Sequence, residues 1–395
     1  MNAQQHLSPL KIFLIYLRLG CLSFGGPVAH FGYFKDEFVS QRKWLSEAHY
    51  AELLALCQFV PGPTSSQTGF AIGWHRGGLI GACAGWLGFT LPSAIIMIAF
   101  AYGLTSVGDS AEPLINGLLI AAVAVVAKAV FDMGRKLCTD LPRMAIALVS
   151  AVLVSWMSGV LMQIGVILLG IGIGNALFRD AAHDQPELHN GESMAGRRTM
   201  FVGILGFSAL LLIALLTPAD SAGAIYAMQY QAGALVFGGG HVVLPLLHDS
   251  VVPSGLLSES DFLAGYSAVQ AMPGPIFTLS AFLGTASQAT HPQWIGGLIA
   301  LVAIFLPGML LLAGLIPVWN QLRNKAWAQA GIIGANAAVV GLLAAALIDP
   351  VWSHGIQGWA DGLIAAIAIV ALYRKVPAWL VVFICGGCGY IVSVR

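Results

Sequence analysis

Long apolar runs separated by short polar joints cover nearly the whole chain. About 20 consecutive apolar residues suffice for a helix to cross the hydrocarbon core of a bilayer. We predict membrane-spanning helices at 78–104, 114–132, 143–157, 160–178, 200–217, 294–317, 327–347, 359–373 and 377–394. The pattern predicts an all-α polytopic membrane protein.

Two other apolar stretches of the first half are interrupted. Phe24-Gly25-Gly26-Pro27 breaks the stretch 8–34, and Pro61-Gly62-Pro63 breaks the stretch 47–74. Each arm of the second stretch has about 13 residues, roughly 20 Å of helix, which is short of the roughly 30 Å hydrocarbon core. A broken helix survives in lipid only where it is buried in protein or lines a polar cavity. We therefore predict helical hairpins that are broken or re-entrant, with a binding site at the breaks.

The same pattern restarts in the second half at a nearly constant offset. Three motifs of the first half have counterparts there: Phe24-Gly25-Gly26-Pro27 with Phe237-Gly238-Gly239-Gly240, Gln58-Phe59-Val60-Pro61-Gly62-Pro63 with Gln270-Ala271-Met272-Pro273-Gly274-Pro275, and Phe89-Thr90-Leu91-Pro92 with Phe305-Leu306-Pro307. Ordered matches of this kind indicate an internal duplication. The predicted organisation is an N-terminal repeat (1–178), a hydrophilic linker with one connecting span (179–217) and a C-terminal repeat (218–395).

Charge then orients the two repeats. The chain is 58% apolar and 9% charged, with no formal net charge and no basic patch that would favour nucleic acid. Lys and Arg concentrate in cytoplasmic loops. If the hairpins return to the side that they entered, one set of loops holds nearly all Lys and Arg, while the loops around Asp109, Asp220, Pro253, His291 and Asp349 hold none. This separation predicts inverted repeats, with the linker 179–199 in the cytoplasm and span 200–217 supplying the odd crossing.

Inverted repeats with broken helices place a transporter's substrate near the bilayer midplane, and helix N-termini suit anions. The predicted substrate-binding residues lie at and beside the two Pro-Gly-Pro breaks: Gln58, Pro61, Gly62, Pro63, Thr64, Ser65, Ser66, Gln67, Gln270, Pro273, Gly274, Pro275 and Thr278. The arm after the first break carries four side chains able to donate hydrogen bonds, whereas Ile276 and Phe277 begin the second. We expect the first copy to hold more of the substrate.

The glycine motifs are predicted to allow hinge motion or close approach of backbones, with tight helix packing as the alternative. They comprise Phe24, Gly25, Gly26, Pro27, Phe237, Gly238, Gly239 and Gly240. Ionisable residues within membrane segments are functional candidates by default. The candidates for proton coupling or charge are His30, His241, Glu52 and Lys128. Their alternatives are packing roles for the histidines, a solvated position for Glu52 and snorkelling to the cytoplasmic face for Lys128.

The sequence contains few features that would indicate an enzyme. There is no Gly-Lys-Ser or Gly-Lys-Thr phosphate loop and no His-Glu-x-x-His zinc motif. Cys385 and Cys388 have redox-motif spacing without a soluble α/β context, so we interpret them as packed helix residues. The polar start of the chain does not resemble a cleavable signal peptide. We expect no catalytic residues, metal or cofactor.

Taken together, the motifs resemble the chromate ion transporter family in its long, two-domain form. They are Phe24-Gly-Gly-Pro-Val-Ala-His30, Trp44-Leu-Ser-Glu47, Gln58-Phe-Val-Pro-Gly-Pro63, Phe237-Gly-Gly-Gly-His-Val-Val-Leu-Pro245 and Gln270-Ala-Met-Pro-Gly-Pro275. The resemblance implies a bacterial inner-membrane carrier that exports chromate, driven by the proton motive force, and that confers chromate resistance. Its partners would be the oxyanion, protons and the lipid bilayer. A sulfate or other oxyanion transporter, a passive anion channel and a homo-oligomer stay open.

Overall fold

A computed structural model describes residues 7–107, 112–157, 159–179, 196–218, 221, 223–237, 240–287, 292–316, 319 and 325–393. Within these residues the regular structure is helical, without a β-strand. Five helices are long and apolar enough to cross a membrane: Thr64–Leu104, Glu112–Leu137, Thr199–Leu216, Gln293–Leu315 and Ala326–Gly355. The predicted all-α membrane fold is confirmed.

The first repeat contains seven labelled helices. They are α1 (Pro9–Leu22), α2 (Gly26–Lys35), α3 (Glu47–Phe59), α4 (Thr64–Val107), α5 (Glu112–Leu137), α6 (Leu141–Trp156) and α7 (Val160–Leu177). A π-helical turn, Asp36–Gln41, extends α2. Helix α8 (Gly196–Leu216) connects the repeats. A single connecting helix between two repeats of the same order is what the predicted inverted arrangement requires.

The second repeat follows the same order with shorter pieces at its breaks. Its helices are α9 (Ala224–Leu235), α10 (Val243–Val251), α11 (Glu259–Gln270), α12 (Leu279–Ala286), α13 (Gln293–Leu315), α14 (Ala326–Ala346), α15 (Trp359–Tyr373) and α16 (Ala378–Ser393). Short 3-10 turns, Gly240–Val242 and Ile276–Thr278, precede α10 and α12. A π-helical turn, Leu347–Trp352, follows α14.

The breaks predicted from the sequence are present. Helix α1 ends at Leu22 and α2 begins at Gly26, while α3 ends at Phe59 and α4 begins at Thr64. Helix α4 leaves helical geometry at Gly77 and Gly78, so its first arm is as short as α3. At equivalent positions, Ser46 and Ser258 accept the first-turn N–H groups of α3 and α11, which stabilises both helix starts.

The two repeats exchange packing partners. Helix α5 of the first repeat packs against α15 and α16 of the second, and α14 of the second packs against α6 and α7 of the first. Small residues make these crossings close, because a Cβ at Gly334 would overlap the carbonyl oxygen of Gly170 and one at Gly389 would overlap that of Pro113. Part of each repeat is therefore buried only by the other.

Arg42 and Arg76 both lie beside Trp44, and we call the region of Lys35, Arg42, Lys43 and Arg76 the basic face. Arg76 donates from Nη2 to the carbonyl oxygen of Trp44 over 3.1 Å, and the guanidinium groups of Arg42 and Arg76 lie 6.0 and 5.6 Å from the Trp44 ring centroid. Elsewhere, the Arg143 guanidinium lies 5.1 Å from the ring centroid of Phe178. Aromatic contacts of this kind hold the cations at the ends of the helices.

A glycine substitution tests the close crossing of α7 and α14. A Cβ at Gly174 would overlap the carbonyl oxygen of Ala330, whereas one at Gly172 on the same helix meets nothing within 4 Å. Gly174→Ala should lower the free energy of unfolding by about 1–3 kcal/mol because the crossing becomes overpacked. Thermal unfolding in detergent measures the change. Gly172→Ala is the matched control and should leave the midpoint unchanged or slightly raised, so equal losses in both variants would contradict the crossing.

Candidate functional site

The four helix breaks contact one another, and we call the region formed by 22–27, 60–67, 236–237, 240 and 271–278 the central junction. The amide N–H of Gly62 donates to the carbonyl oxygen of Val236 over 2.7 Å, and that of Gly274 donates to the carbonyl oxygen of Ser23 over 2.8 Å. The two bonds join equivalent positions in exchanged repeats. Each Pro-Gly-Pro tip is thus held by the glycine break of the opposite repeat.

Glycines allow the chain segments of the junction to touch. Gly25 and Gly26 have φ of +99° and +74°, a left-handed backbone that few other residues adopt. A Cβ on Gly240 would lie 3.3 Å from both Ile276 Cδ1 and Pro27 Cγ. Gly238 and Gly239 lie outside the described residues. Gly25 and Gly26 are needed for their backbone conformation, and Gly240 is needed because a larger side chain would not fit beside Ile276 and Pro27.

Two proline-containing helices cross over the Pro-Gly-Pro tips. A Cβ on Gly62 would lie 3.0 Å from Gly308 Cα on α13, and one on Gly274 would lie 2.8 Å from Ser93 Oγ on α4. Pro307 and Pro92 directly precede these contacts inside their helices. Proline removes a helical hydrogen bond, which loosens the backbone at that turn. These prolines signalled the repeat in the sequence, and the structure places them beside the junction.

The polar arm after the first tip, Ser65-Ser66-Gln67, is buried. Gln67 donates from Nε2 to the carbonyl oxygens of Pro61 and Gly308, at 3.0 and 3.2 Å. The arm begins α4, and the first N–H groups of a helix have no intrahelical acceptor. Hydroxyl, amide and backbone donors therefore gather at one positive helix end.

His30 joins the first glycine break to this polar arm. Its Nε2 lies 3.1 Å from the carbonyl oxygen of Ser23 and its Nδ1 lies 3.2 Å from Ser65 Oγ. A carbonyl oxygen only accepts, so the bonding pattern assigns the proton to Nε2 and lets Nδ1 accept from the Ser65 hydroxyl. The Ser23 oxygen also accepts the Gly274 N–H. His30 thereby connects the polar arm with both repeats.

Several buried polar atoms at the junction and beside it have no hydrogen-bond partner among the described residues. They are Ser23 Oγ, Ser66 Oγ, Gln67 Oε1, Thr90 Oγ1 and Gln270 Nε2. An unsatisfied buried polar group costs about 1–3 kcal/mol, so a cluster of them indicates a place for a polar ligand. Ser23 and Thr90 were absent from the predicted site. The sequence could have indicated these two residues only by their positions, because Ser23 precedes a glycine break and Thr90 precedes Pro92.

Other predicted residues have different surroundings. Gln58 is exposed at the end of α3, and Thr64 is half-buried. Thr278 is buried and donates from Oγ1 to the carbonyl oxygen of Pro275 over 2.8 Å. Pro63, Pro273 and Pro275 are buried with the tips, while Phe237 is half-buried. Phe24 is half-buried, and its ring centroid lies 6.0 Å from that of Trp379.

The charge candidates are dispersed. His30 bonds directly to the junction, as described above. His241, in the turn after the second glycine break, lies with Nδ1 3.0 Å from the Tyr266 hydroxyl. Lys128 pairs with Asp132, and its Nζ lies 5.9 Å from the Tyr373 ring centroid. Glu52 is half-buried on α3.

This architecture defines a class of protein. Inverted repeats whose broken helices meet at a buried polar centre are typical of secondary membrane transporters. The family model described as "Chromate transporter" matches residues 10–175 and 223–390, one match for each repeat. The chain belongs to the chromate transporter family.

Relatives across bacteria share most of the chain. A "Probable chromate transport protein" of Synechococcus elongatus is 29% identical over 384 residues, covering 95% of this chain and 93% of the relative. A "Chromate transport protein" of Cupriavidus metallidurans is 26% identical over 350 residues, covering 86% and 81%. One of the same name from Pseudomonas aeruginosa is 25% identical over 342 residues, covering 86% and 80%. No solved structure matches the chain.

Gly62 provides a test of the junction. It has φ of +132°, and an added Cβ would lie 2.7 Å from Gln67 Nε2, so Gly62→Ala would displace the amide that ties the tip to α13. We expect a loss of about 2–5 kcal/mol in the free energy of unfolding, from backbone strain and overpacking together. Denaturant unfolding in detergent measures it.

The control for Gly62 is Gly78, which has φ of +59° and open space around its Cβ position. Its ψ of −155° places it in a region almost confined to glycine, so Gly78→Ala should cost the backbone strain alone, about 1–3 kcal/mol. If the two variants lost equal stability, the contacts of the Gly62 tip would be unimportant.

Proposed function

We propose that this protein is a secondary active transporter that exports chromate across the bacterial inner membrane, coupled to the proton motive force. The observation that carries the proposal is the group of unpartnered buried donors at the central junction and in the segments beside it. Hydroxyl groups of Ser66, Ser23 and Thr90 and the amide of Gln270 have hydrogens to donate. An oxyanion offers acceptors in several directions, which matches such a group.

The junction would bind the anion with neutral donors. Its residues 22–27, 60–67, 236–237, 240 and 271–278 include no Lys or Arg. Helix N-termini and hydroxyl groups stabilise a dianion through partial charges. A site without a fixed cation also releases the anion more readily, which transport requires. Chromate and sulfate share the tetrahedral dianion shape, so sulfate should compete.

The first repeat would provide most of these donors. Its arm is Thr64-Ser65-Ser66-Gln67, and the matching segment of the second repeat is Ile276-Phe277-Thr278, in which Ile276 and Phe277 are buried. We propose that the first tip binds the anion and that the second contributes backbone dipoles and an apolar wall.

Alternating access follows from the closed junction. Ser66 and Gln67 are only 2% and 1% exposed, so an anion reaches them only when a tip moves. The bond from Gly62 to Val236 and the bond from Gly274 to Ser23 are equivalent closures of the two repeats. We propose that they open in turn, one toward each side of the membrane, with the loosened turns at Pro92 and Pro307 as hinges.

The charge distribution supports export. The outer ends of the first hairpins carry Lys35, Arg42, Lys43 and Arg76 together with Asp36, Glu37 and Glu47, four cations against three carboxylates and so a small net positive charge. The matching end of the second repeat carries Asp249, Glu259 and Asp261. A basic mouth concentrates anions and an acidic one repels them. With the basic face in the cytoplasm, the membrane potential also favours outward movement of a dianion, by about 2.3 kcal/mol per charge per 100 mV.

For proton coupling, we propose His30 as the acceptor at the junction. A second proton would sit on Nδ1, which then donates to Ser65 instead of accepting from it. The donors that face the anion would change with that reversal. His241 and Glu52 are the other proposed acceptors, on the ground that each is ionisable within a hairpin of its repeat.

Ser66→Ala tests the anion site without disturbing a known bond. The Ser66 hydroxyl is buried and has no partner within the described part of the chain, so its removal should leave the unfolding midpoint unchanged or raised. Chromate uptake by everted vesicles should fall about tenfold or more at sub-saturating substrate, because a hydrogen bond to a charged ligand contributes about 1.5–3 kcal/mol.

Thr285→Val is the control for Ser66→Ala. Thr285 is also buried, but its hydroxyl donates to the carbonyl oxygen of Ala281 within its own helix. Its loss should lower stability slightly and leave the transport per folded molecule intact. Wild-type uptake by Ser66→Ala, at equal protein level, would remove the polar arm from the proposed site.

Coupling and direction have their own test. Everted vesicles that contain the protein should accumulate labelled chromate when a proton gradient and membrane potential are imposed, and an uncoupler should abolish the accumulation, since a carrier can concentrate its substrate only with an energy source. Labelled sulfate is assayed in parallel. Flux that does not depend on the proton gradient and does not saturate with chromate would indicate a passive anion channel. Preferred uptake of sulfate would show that sulfate, not chromate, is the substrate.

A further inference from the structure

A cluster of three ionisable side chains joins the two helices of the second hairpin, α10 and α11. His248, near the end of α10, lies with Nδ1 3.0 Å from Asp249 Oδ1 and with Nε2 2.7 Å from Glu259 Oε1 at the start of α11. All three side chains are more than three-quarters buried. The cluster joins the outer ends of the two helices whose inner ends lead to the central junction.

The geometry of this cluster requires a proton. A neutral imidazole has one N–H, whereas ionised carboxylates only accept hydrogen bonds. Both ring nitrogens of His248 face carboxylate oxygens, so both bonds form only when the imidazole carries a second proton or when a carboxyl group retains one. In either form the cluster holds one proton more than it would with a neutral histidine and two ionised carboxylates.

The surroundings favour the protonated form. Gln163 of α7 donates from Nε2 to Asp249 Oδ2 over 2.8 Å and orients that carboxylate toward His248. The ring of Phe262 lies edge-on at 5.5 Å. In the described residues, the segments that pack against α10 carry these other titratable groups: Tyr226 and Tyr230 on α9, His241 in the turn before α10, and Asp261 and Tyr266 on α11.

None of these segments contributes a Lys or Arg among its described residues, so the imidazolium is the cation that the two carboxylates share. His248 lies outside the membrane-spanning helices. Burial by itself lowers its pKa, but the hydrogen bonds and charges of Asp249 and Glu259 outweigh burial and raise the pKa to about 9.

The first repeat contains an ion pair at the equivalent positions, with a lysine in place of the histidine. The repeat pairs Leu45-Ser46-Glu47 with Leu257-Ser258-Glu259, and at the other partner's position it pairs Lys35 with His248. Lys35 Nζ lies 3.3 Å from Glu47 Oε1. Both glutamates follow the serine that caps α3 or α11. Lysine keeps its charge throughout the physiological range, whereas histidine titrates. The duplicated ion pair is therefore permanent on the basic face and dependent on a proton on the other face.

We propose that His248, Asp249 and Glu259 form a proton-binding clasp on the extracytoplasmic side, and that the bound proton holds α10 against α11 and keeps this end of the second hairpin closed. The side assigned to the clasp and its use in coupled export rest on the proposed function. Loss of the proton would leave a lone pair facing a carboxylate and would release the outer ends of both helices. Their inner ends adjoin Gly240 and the Gly274 tip, so release would reach the central junction.

The sign of the pH dependence follows from the raised pKa. A histidine whose pKa is higher in the folded protein stabilises the closed form fully below its ordinary pKa of about 6.5. That stabilisation declines as the pH rises and is lost above about 9. The clasp should therefore hold at neutral and acidic external pH and open in alkali.

Hydrogen exchange of the intact protein in nanodiscs tests the clasp without a transport assay. After correction for the intrinsic pH dependence of exchange, backbone amides in 243–270 should exchange about tenfold or more faster at pH 10 than at pH 7, because local opening exposes them. His248→Lys, which copies the first repeat, should remove this rise. The converse variant, Lys35→His, should create a rise in 26–59 that the wild type lacks.

A rise that persists unchanged in His248→Lys would overturn the proposal, as would equal exchange at both pH values in the wild type. Glu259→Gln is the second variant, should His248→Lys not fold. It removes one of the two charges on His248, so the rise should begin at lower pH, and an unshifted rise would also overturn the proposal. Because exchange needs no substrate, a protein that fails to transport chromate can still show the clasp.

Discussion

A broken helix in a bilayer has backbone N–H groups and carbonyl oxygens that neither lipid nor the helix itself can satisfy, and the rest of this structure depends on how those groups find partners. Each of the two Pro-Gly-Pro tips finds a hydrogen-bond partner in the opposite repeat. Gly62 donates to Val236 and Gly274 donates to Ser23, so each repeat completes the hydrogen bonding of the other. Glycines permit the approach, and the proline-containing turns of α4 and α13 cover the tips. A polar centre is the physical result.

In the proposed function, the neutral donors inside and the charges outside have separate roles. Neutral groups at the junction would hold an oxyanion without trapping it, while the cations of the basic face would act at a distance on its approach. The duplicated ion pairs then distinguish the two faces chemically, because Lys35 and His248 occupy equivalent positions with different responses to pH. A symmetric frame thus carries an asymmetric function through a small number of side chains.

The sequence was sufficient to predict the helices and their breaks, but not the residues that each break contacts in the folded protein. Apolar runs predicted the helices, although those at 143–157, 160–178, 359–373 and 377–394 are shorter than the five that are long enough to span a membrane in the described residues. The positions of Gly25, Gly26 and Gly62 predicted the breaks, and the repeat predicted an internal symmetry. The bonds to Val236 and Ser23 could not be foreseen, because a carbonyl oxygen has no sequence signature. His241 attracted attention through its neighbouring glycines, whereas His248 did not, because its partner Glu259 comes close only when the hairpin folds. The proposed domain boundaries and binding residues stay predictions for the experiments above.

The exchange of helices between repeats has a consequence for how the chain is made. Helices α6 and α7 pack against α14, which the ribosome completes 169 residues after the end of α7 (346 − 177). At ordinary rates of synthesis this interval lasts about 10–30 s. During that time the glycine-lined face of α7 has only lipid or the insertion machinery beside it. The membrane must therefore keep an unfinished half in place until its inverted copy arrives, and the order of synthesis becomes part of the folding pathway.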